Sequence, residues 1–437
     1  MTPIDTLISA RWVIPIEPAH CVLEYHSIAI QNGRIVDLLP TVDANTRYTA
    51  HANIELGQHA LLPGLVNLHT HAAMTLMRGL ADDLPLMTWL KEHVWPTEAQ
   101  HVAPGFVKDG TLLACAEMLR GGTTCFNDMY FFPEATAQVV EQAGMRATLG
   151  LITLELPSAY AADADDYLRK GLETRDVYRD HALLRFCIAP HAPYTVSDKT
   201  FEKILTFSEQ LDTPIHTHLH ETQDEIQQSL NEYHLRPLAR LHNLGLLSPS
   251  LIATHMVHMT PEEIALCAER GVHIAHCPVS NLKLASGIAP LTQWGNAGIC
   301  VGLGTDGAAS NNRLDMFNEM RIAALLAKGT SGDASALSAH QALTMATLHG
   351  AKALGLEQEI GSLKVGKSAD LIAIALDSLE TTPCYDIASH LVYAAGREHV
   401  SDVWVAGKRL LQDRKLTTLD LHAIRARATH WQNILNS

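Results

Sequence analysis

Eight short apolar runs punctuate the chain, and this repeat constrains the fold more than any other feature. They lie at residues 61–69, 123–128, 146–151, 184–189, 214–219, 251–255, 273–276 and 299–304. Helix-length stretches separate them, among them 107–120, 200–210, 229–244, 261–270 and 314–328. Strands covered on both faces read as continuous apolar runs, whereas half-exposed strands alternate. Eight such runs in βα alternation predict a distorted (β/α)8 barrel of the TIM type in an α/β protein.

Both ends of the chain have another texture. "TLISARWVIPI", "SIAIQNGRIVDLL" and "NIELG" near the start mix β-branched and polar residues, with Asn32-Gly33 as a turn. "SADLIAIAL" and "VSDVWVAGKRLL" near the end read the same way, and "GSLKVGK" reads as a glycine-punctuated hairpin. These segments predict a small β-sandwich built from both termini. Residues 1–62 form its first part, 63–363 the catalytic barrel, and 364–437 the rest of the sandwich with a terminal helix. The 437 residues suffice for both.

Hydrophobic residues make up 47% and charged residues 18%, a composition that builds cores. The formal net charge of −15 repels phosphate backbones, so nucleic acid is not an expected partner. No run approaches the roughly 18 to 20 apolar residues that span a bilayer, and the start has no basic region before an apolar run. Eight scattered cysteines without a CxxC pair read as buried reduced thiols. We therefore expect a cytoplasmic protein with no membrane partner.

Barrel active sites sit at the C-terminal ends of the strands, and there the histidines gather. The first run ends "PGLVNLHTH": His69 and His71 are two apart, on one face of an extended chain. The fifth ends "PIHTHLHET", offering His216, His218, His220 and Glu221, and strand period alone does not separate the three histidines. The sixth supplies His255 and His258, and the eighth, "GICVGLGTDG", supplies Asp306. Three imidazoles and a carboxylate from strand ends suit one divalent ion, Zn2+ first, with Fe2+ and Mn2+ as alternatives.

"PGLVNLHTHAAMTLMRGLADDLPLMTWL", "HAPYTVS", "HLHET", "HCPVSNLKLASGIAPL", "GLGTDGAASNNRLDMFNEMR" and "GSLKVGKSADLI" resemble the amidohydrolase superfamily. Within it they are most similar to the branch that deaminates 5′-methylthioadenosine and S-adenosylhomocysteine. The resemblance covers nearly the whole chain. It implies His69, His71, His218 and Asp306 as metal ligands, with Asp306 also taking a proton from the bound water. It implies Glu221 as proton shuttle and His255 as the hydrogen-bond partner of the metal-activated hydroxide. It implies Glu98 on the ribose hydroxyls, with His191 and Trp89 against the substrate. His216, His220, His258, His273 and His276 are left as structural or supporting groups. The fourth run ends "CIAPHAPY", without the lysine of two-metal relatives, which favours a single ion.

The implied activity is metal-dependent hydrolytic deamination of an adenine ring in 5′-methylthioadenosine, S-adenosylhomocysteine or adenosine, releasing ammonia. Guanine deamination and triazine hydrolysis are the alternatives within the superfamily, and a non-catalytic scaffold is the alternative outside the enzymes. The expected partner is a small-molecule nucleoside, and the resemblance leans towards a homo-oligomer.

Overall fold

A computed structural model describes residues 1–436. Four strands open the chain: β1 (Thr2–Val13), β2 (Leu23–Gln31), β3 (Arg34–Pro40) and β4 (Tyr48–Pro63). Eight follow in βα alternation: β5 (Leu65–Thr70), β6 (Thr123–Tyr130), β7 (Arg146–Thr153), β8 (Leu184–Pro190), β9 (Ile215–Leu219), β10 (Leu251–His255), β11 (His273–His276) and β12 (Val301–Leu303). Four more come last: β13 (Leu371–Ala375), β14 (Val400–Val405), β15 (Lys408–Gln412) and β16 (Lys415–Leu416).

Strands β5 to β12 neighbour one another in sequence order, the expected (β/α)8 arrangement. The pairs from β7 to β12 are parallel. Every residue of β5, β6, β7 and β9 is buried, as strands covered on both faces require. The last strand returns to the first. Asp306 donates its N–H to the His69 carbonyl at 2.9 Å, and a Cβ on Gly304 would fall 2.8 Å from the His69 nitrogen. Only glycine lets the two backbones approach so closely.

The other eight strands form one sheet in the order β16-β15-β14-β13-β4-β1-β2-β3. It folds back on itself, because Trp404 of β14 shares a core with Ile8 of β1 and with Ile28 and Ile30 of β2. Two tight turns meet there. Asn32-Gly33 (φ 51° and 74°) and Ala406-Gly407 (φ 47° and 75°) both take the left-handed conformation of two-residue hairpins. A Cβ on Gly407 would lie 2.8 Å from the Gly33 Cα.

Three local readings need correction. The run 61–69 is not one strand: residues 61–63 end β4, and β5 starts at Leu65. Gly64 makes the break, since a Cβ there would meet the Thr124 side chain at 2.0 Å. The stretch 229–244 is not one helix but two, Gln223–Tyr233 and Pro237–Asn243. His234 turns left-handed at φ 57°, and Pro237 begins the second helix, where its missing N–H costs nothing. "GSLKVGK" contributes turns and no strand, with one isolated bridge from Arg34 to Ser368 beside it.

By contact the chain divides into two units. One comprises residues 1–67, 116–125 and 315–419; the other comprises 68–115, 126–314 and 420–437. Among the described residues, no helix is long and apolar enough to cross a membrane.

Candidate active site

Four side chains converge where β5, β9 and β12 end. One donor atom each from His69, His71, His218 and Asp306 lies within 4.8 Å of the other three. The geometry also says which imidazole nitrogens point inward. The His71 Nδ1–H donates to the Met129 carbonyl at 2.6 Å, and the His218 Nδ1–H donates to the His191 carbonyl at 2.7 Å. A carbonyl only accepts, so both rings carry a proton on Nδ1 and present Nε2 to the cluster. Burial lowers the His71 ring, but the hydrogen bond and charge of Asp306 lift it to about 9, so His71 also holds a proton towards Asp306 that an incoming ion displaces. His69 Nδ1 is engaged by His216 Nε2 at 2.9 Å. Outer partners of this kind fix ring orientation in metal sites.

Asp306 is held from behind. Its Oδ2 accepts the hydroxyls of Ser280 (2.7 Å) and Ser310 (2.6 Å). Its Oδ1 turns towards His69 Nε2 (3.1 Å) and His71 Nε2 (3.2 Å). Burial pushes this carboxyl upward, but the hydrogen bonds to His69 and His71 outweigh it and hold the group well below the usual range. Burial drives His69 down to about 4 and His218 well below its ordinary value, so both are neutral, the form that ligates. The nitrogen and oxygen donors, their pinned outer nitrogens and the anionic Asp306 together fit one divalent cation.

His255 sits beside this cluster, stacked on His218 with ring centroids 5.5 Å apart. Its Nδ1 is 2.8 Å from Asn281 Oδ1, and its Nε2 is 3.8 Å from Glu221 Oε2. His255 and Met256 are both left-handed (φ 73° and 50°), a backbone strain that collects at functional sites. Glu221 is buried, and burial raises its carboxyl above the usual value. The turn that carries it is clamped by Glu225. The Glu225 carboxylate accepts the N–H of His220 (2.9 Å) and of Glu221 (2.8 Å).

A cavity of about 320 Å³ opens over the cluster, a size that accepts a small ligand. His71, Trp89, Glu98, His191, His218, Glu221, His255 and Asp306 all line it. His69 lies fully buried within the four-donor cluster. Glu98 comes from the helix Trp95–His101 and accepts the Tyr130 hydroxyl at 2.8 Å. Burial lifts its carboxyl to about 7, against that hydrogen bond. His191 Nδ1 meets the Thr195 hydroxyl at 3.0 Å, and burial lowers the ring to about 3.

The residues predicted from sequence therefore gather at one place. Sequence reasoning gave no role to Ser280, Ser310, Asn281, Tyr130 or Glu225. The first three stand in the quoted "HCPVSN" and "TDGAASNN" segments, whose density of small polar residues was the available signal. Of the supporting histidines, His216 holds His69, while His220 and His258 act elsewhere. His220 Nε2 accepts the Leu238 N–H at 3.0 Å, and His258 Nε2 donates to the Ser286 carbonyl at 2.7 Å.

The amidohydrolase family model matches residues 60–410. A protein of Teredinibacter turnerae named 5-methylthioadenosine/S-adenosylhomocysteine deaminase is 49% identical, across 100% of this chain and 99% of its own. One of the same name from Saccharophagus degradans is 46% identical, across 99% and 97%. The crystal structure of an adenosine deaminase from Xanthomonas campestris with bound zinc superimposes with a TM-score of 0.99 at 51% identity, covering 100% of this chain and 99% of that one. Zinc-complexed atrazine chlorohydrolase from Arthrobacter aurescens matches at 0.91 with 26% identity, covering 98% and 99%. With the family match spanning most of its length and relatives near half identity end to end, this chain belongs to the amidohydrolase family.

Proposed function

We propose that the chain is a metal-dependent aminohydrolase. Its reaction replaces the exocyclic amino group of an adenine ring, in 5′-methylthioadenosine or S-adenosylhomocysteine, by oxygen from water. One observation carries the reading: a four-donor metal cluster, a buried acid and a second carboxylate suited to ribose line or adjoin the same cavity. The names of the relatives near half identity support the substrate class, and the zinc of the Xanthomonas structure supports the ion.

His69, His71, His218 and Asp306 would hold the ion. When bound, it supplies Lewis acidity that lowers the pKa of water from about 15.7 to about 7. Asp306 takes the proton of the attacking water, which His255 orients. Glu221, raised by burial, gives its proton to ring nitrogen N1 as the C6–oxygen bond forms. Asp306 then passes the water's first proton to the amino nitrogen, the C6–nitrogen bond breaks and ammonia leaves, and the remaining C6 hydroxyl proton returns to Glu221. One water enters, one ammonia departs, and the ring keeps a 6-oxo group. Glu98, held by Tyr130, accepts the ribose hydroxyls, while Trp89 and His191 border the ring. A triazine has no ribose, so Glu98 favours the nucleoside over triazine hydrolysis. We further propose a homo-oligomer, which sedimentation of the purified protein tests, located in the cytoplasm, which cell fractionation tests.

Ammonia release from methylthioadenosine, S-adenosylhomocysteine, adenosine, guanine and an aminotriazine tests the activity. Turnover of the adenine nucleosides is expected, with Glu221→Gln lowering kcat by about 10²–10⁴-fold while metal content stays unchanged. Turnover of guanine or the triazine alone would overturn the assignment of Glu98.

A further inference from the structure

We infer that the cavity selects adenine nucleosides with an uncharged, apolar 5′ substituent and discriminates against a 5′ chain ending in a carboxylate. This rests on the deamination reading above and divides its two named substrates. A ring facing Glu221 and Asp306, with ribose hydroxyls at Glu98, leaves the 5′ carbon to the remaining wall. That wall is formed by Phe131, Ile152, Leu154, Leu156, Pro157 and Ala159. It continues directly from the Glu98 partner, since the Tyr130 and Phe131 rings are 5.4 Å apart.

Ser158 on this wall is engaged with its own neighbours, whereas the buried Tyr160 hydroxyl, also on the cavity lining, has no hydrogen-bond partner. Ser158 Oγ takes the Tyr167 hydroxyl at 2.6 Å and the Tyr160 N–H at 3.0 Å. Among the described residues, no lysine or arginine lines the cavity, and its carboxylates are Glu98, Glu221 and Asp306. The four arginines of residues 169–185, none of which lines the cavity, contact other groups. Arg169 pairs with Asp166 (2.6 Å) and Glu173 (2.7 Å), Arg175 with Asp176 (3.2 Å), and Arg179 with Asp180 (3.5 Å). Arg185 donates to the carbonyls of His181 and Leu184. Lys170, behind Tyr160, donates to that residue's carbonyl and pairs with Asp166. A carboxylate at this wall, where Leu156, Pro157 and Ala159 are exposed, meets no cation and at most the neutral Tyr160 hydroxyl, whereas a thioether methyl gains by covering apolar side chains.

The test compares kcat/KM for 5′-methylthioadenosine, 5′-butylthioadenosine and S-adenosylhomocysteine. The two apolar thioethers are expected within about tenfold of each other, with S-adenosylhomocysteine at least about tenfold below both. Leu156→Arg, which places a guanidinium on the wall, should narrow that gap. Equal turnover of S-adenosylhomocysteine and methylthioadenosine overturns the inference. So does a butylthio compound as poor as S-adenosylhomocysteine, because length rather than charge would then decide. Calorimetric binding of the same compounds to Glu221→Gln reads the wall without chemistry. The same order of affinity without turnover by the unaltered chain would sink the deaminase reading alone, and equal affinities would sink the wall.

Discussion

The terminal sheet and the barrel mouth both bury charge, and they complete it differently. In the sheet unit Lys367 is 5% exposed, and its ammonium meets three acceptors: Ser362 Oγ (2.6 Å), Glu17 Oε2 (3.2 Å) and the Ile360 carbonyl (3.3 Å). Three donors find three acceptors, and nothing is left to bind. In the mouth Asp306 spends one oxygen on two serine hydroxyls and aims the other at His69 and His71, while the outer nitrogens of three histidines are pinned. Acceptors that face one another need a proton or a cation to join them. A buried charge with all its partners present is architecture, and buried acceptors aimed at a common point are a binding site.

The contrast is most sharply broken at Asp306. Asp306→Asn keeps the shape but removes the anion, so metal content after dialysis should fall and ammonia release should drop to background. Retention of stoichiometric metal would show that the aspartate is closed like Lys367.

Glu225 gives a pH test within the mouth. Burial lifts its carboxyl from 4.5 to about 7, so the folded chain holds a proton that the unfolded chain releases. Its contribution is full below pH 4.5 and is lost as pH rises through about 7. The loss is on the order of 3 kcal/mol. Glu225→Gln, neutral throughout, should flatten the decline of the urea midpoint across that window. An unchanged slope would mean that Glu225 does not titrate there.

The smallest effect is expected in the sheet. Lys367→Ala should cost about 1–3 kcal/mol in urea unfolding while metal affinity and kcat per folded molecule stay unchanged. A loss of metal would erase the distinction between the two regions.

Much of this was legible in the chain, for local reasons. Continuous apolar runs announced buried parallel strands, and Asn32-Gly33 announced its turn, because burial on both faces and positive φ leave marks on neighbouring residues. The run 61–69 misled because no polar residue separates Leu61–Pro63 from Leu65 and Val66, and the Thr124 side chain that requires Gly64 lies 60 positions away.

The sequence by itself determined that His69 and His71 share a strand face, that Asp306 ends the eighth strand, and that the histidines of "HTHLHET" stand in period two. Strand period does not separate those last three; the family resemblance singles out His218, and the tertiary structure supplies the reason. His216 lies deeper in the barrel sequence of β9 and supports His69, His218 joins the four-donor cluster, and His220, turned to φ 53°, leaves it for the Leu238 N–H. Alternation gives a side chain its direction. How far along the strand it meets partners from other strands is set by how the barrel closes, and no stretch of sequence contains that information.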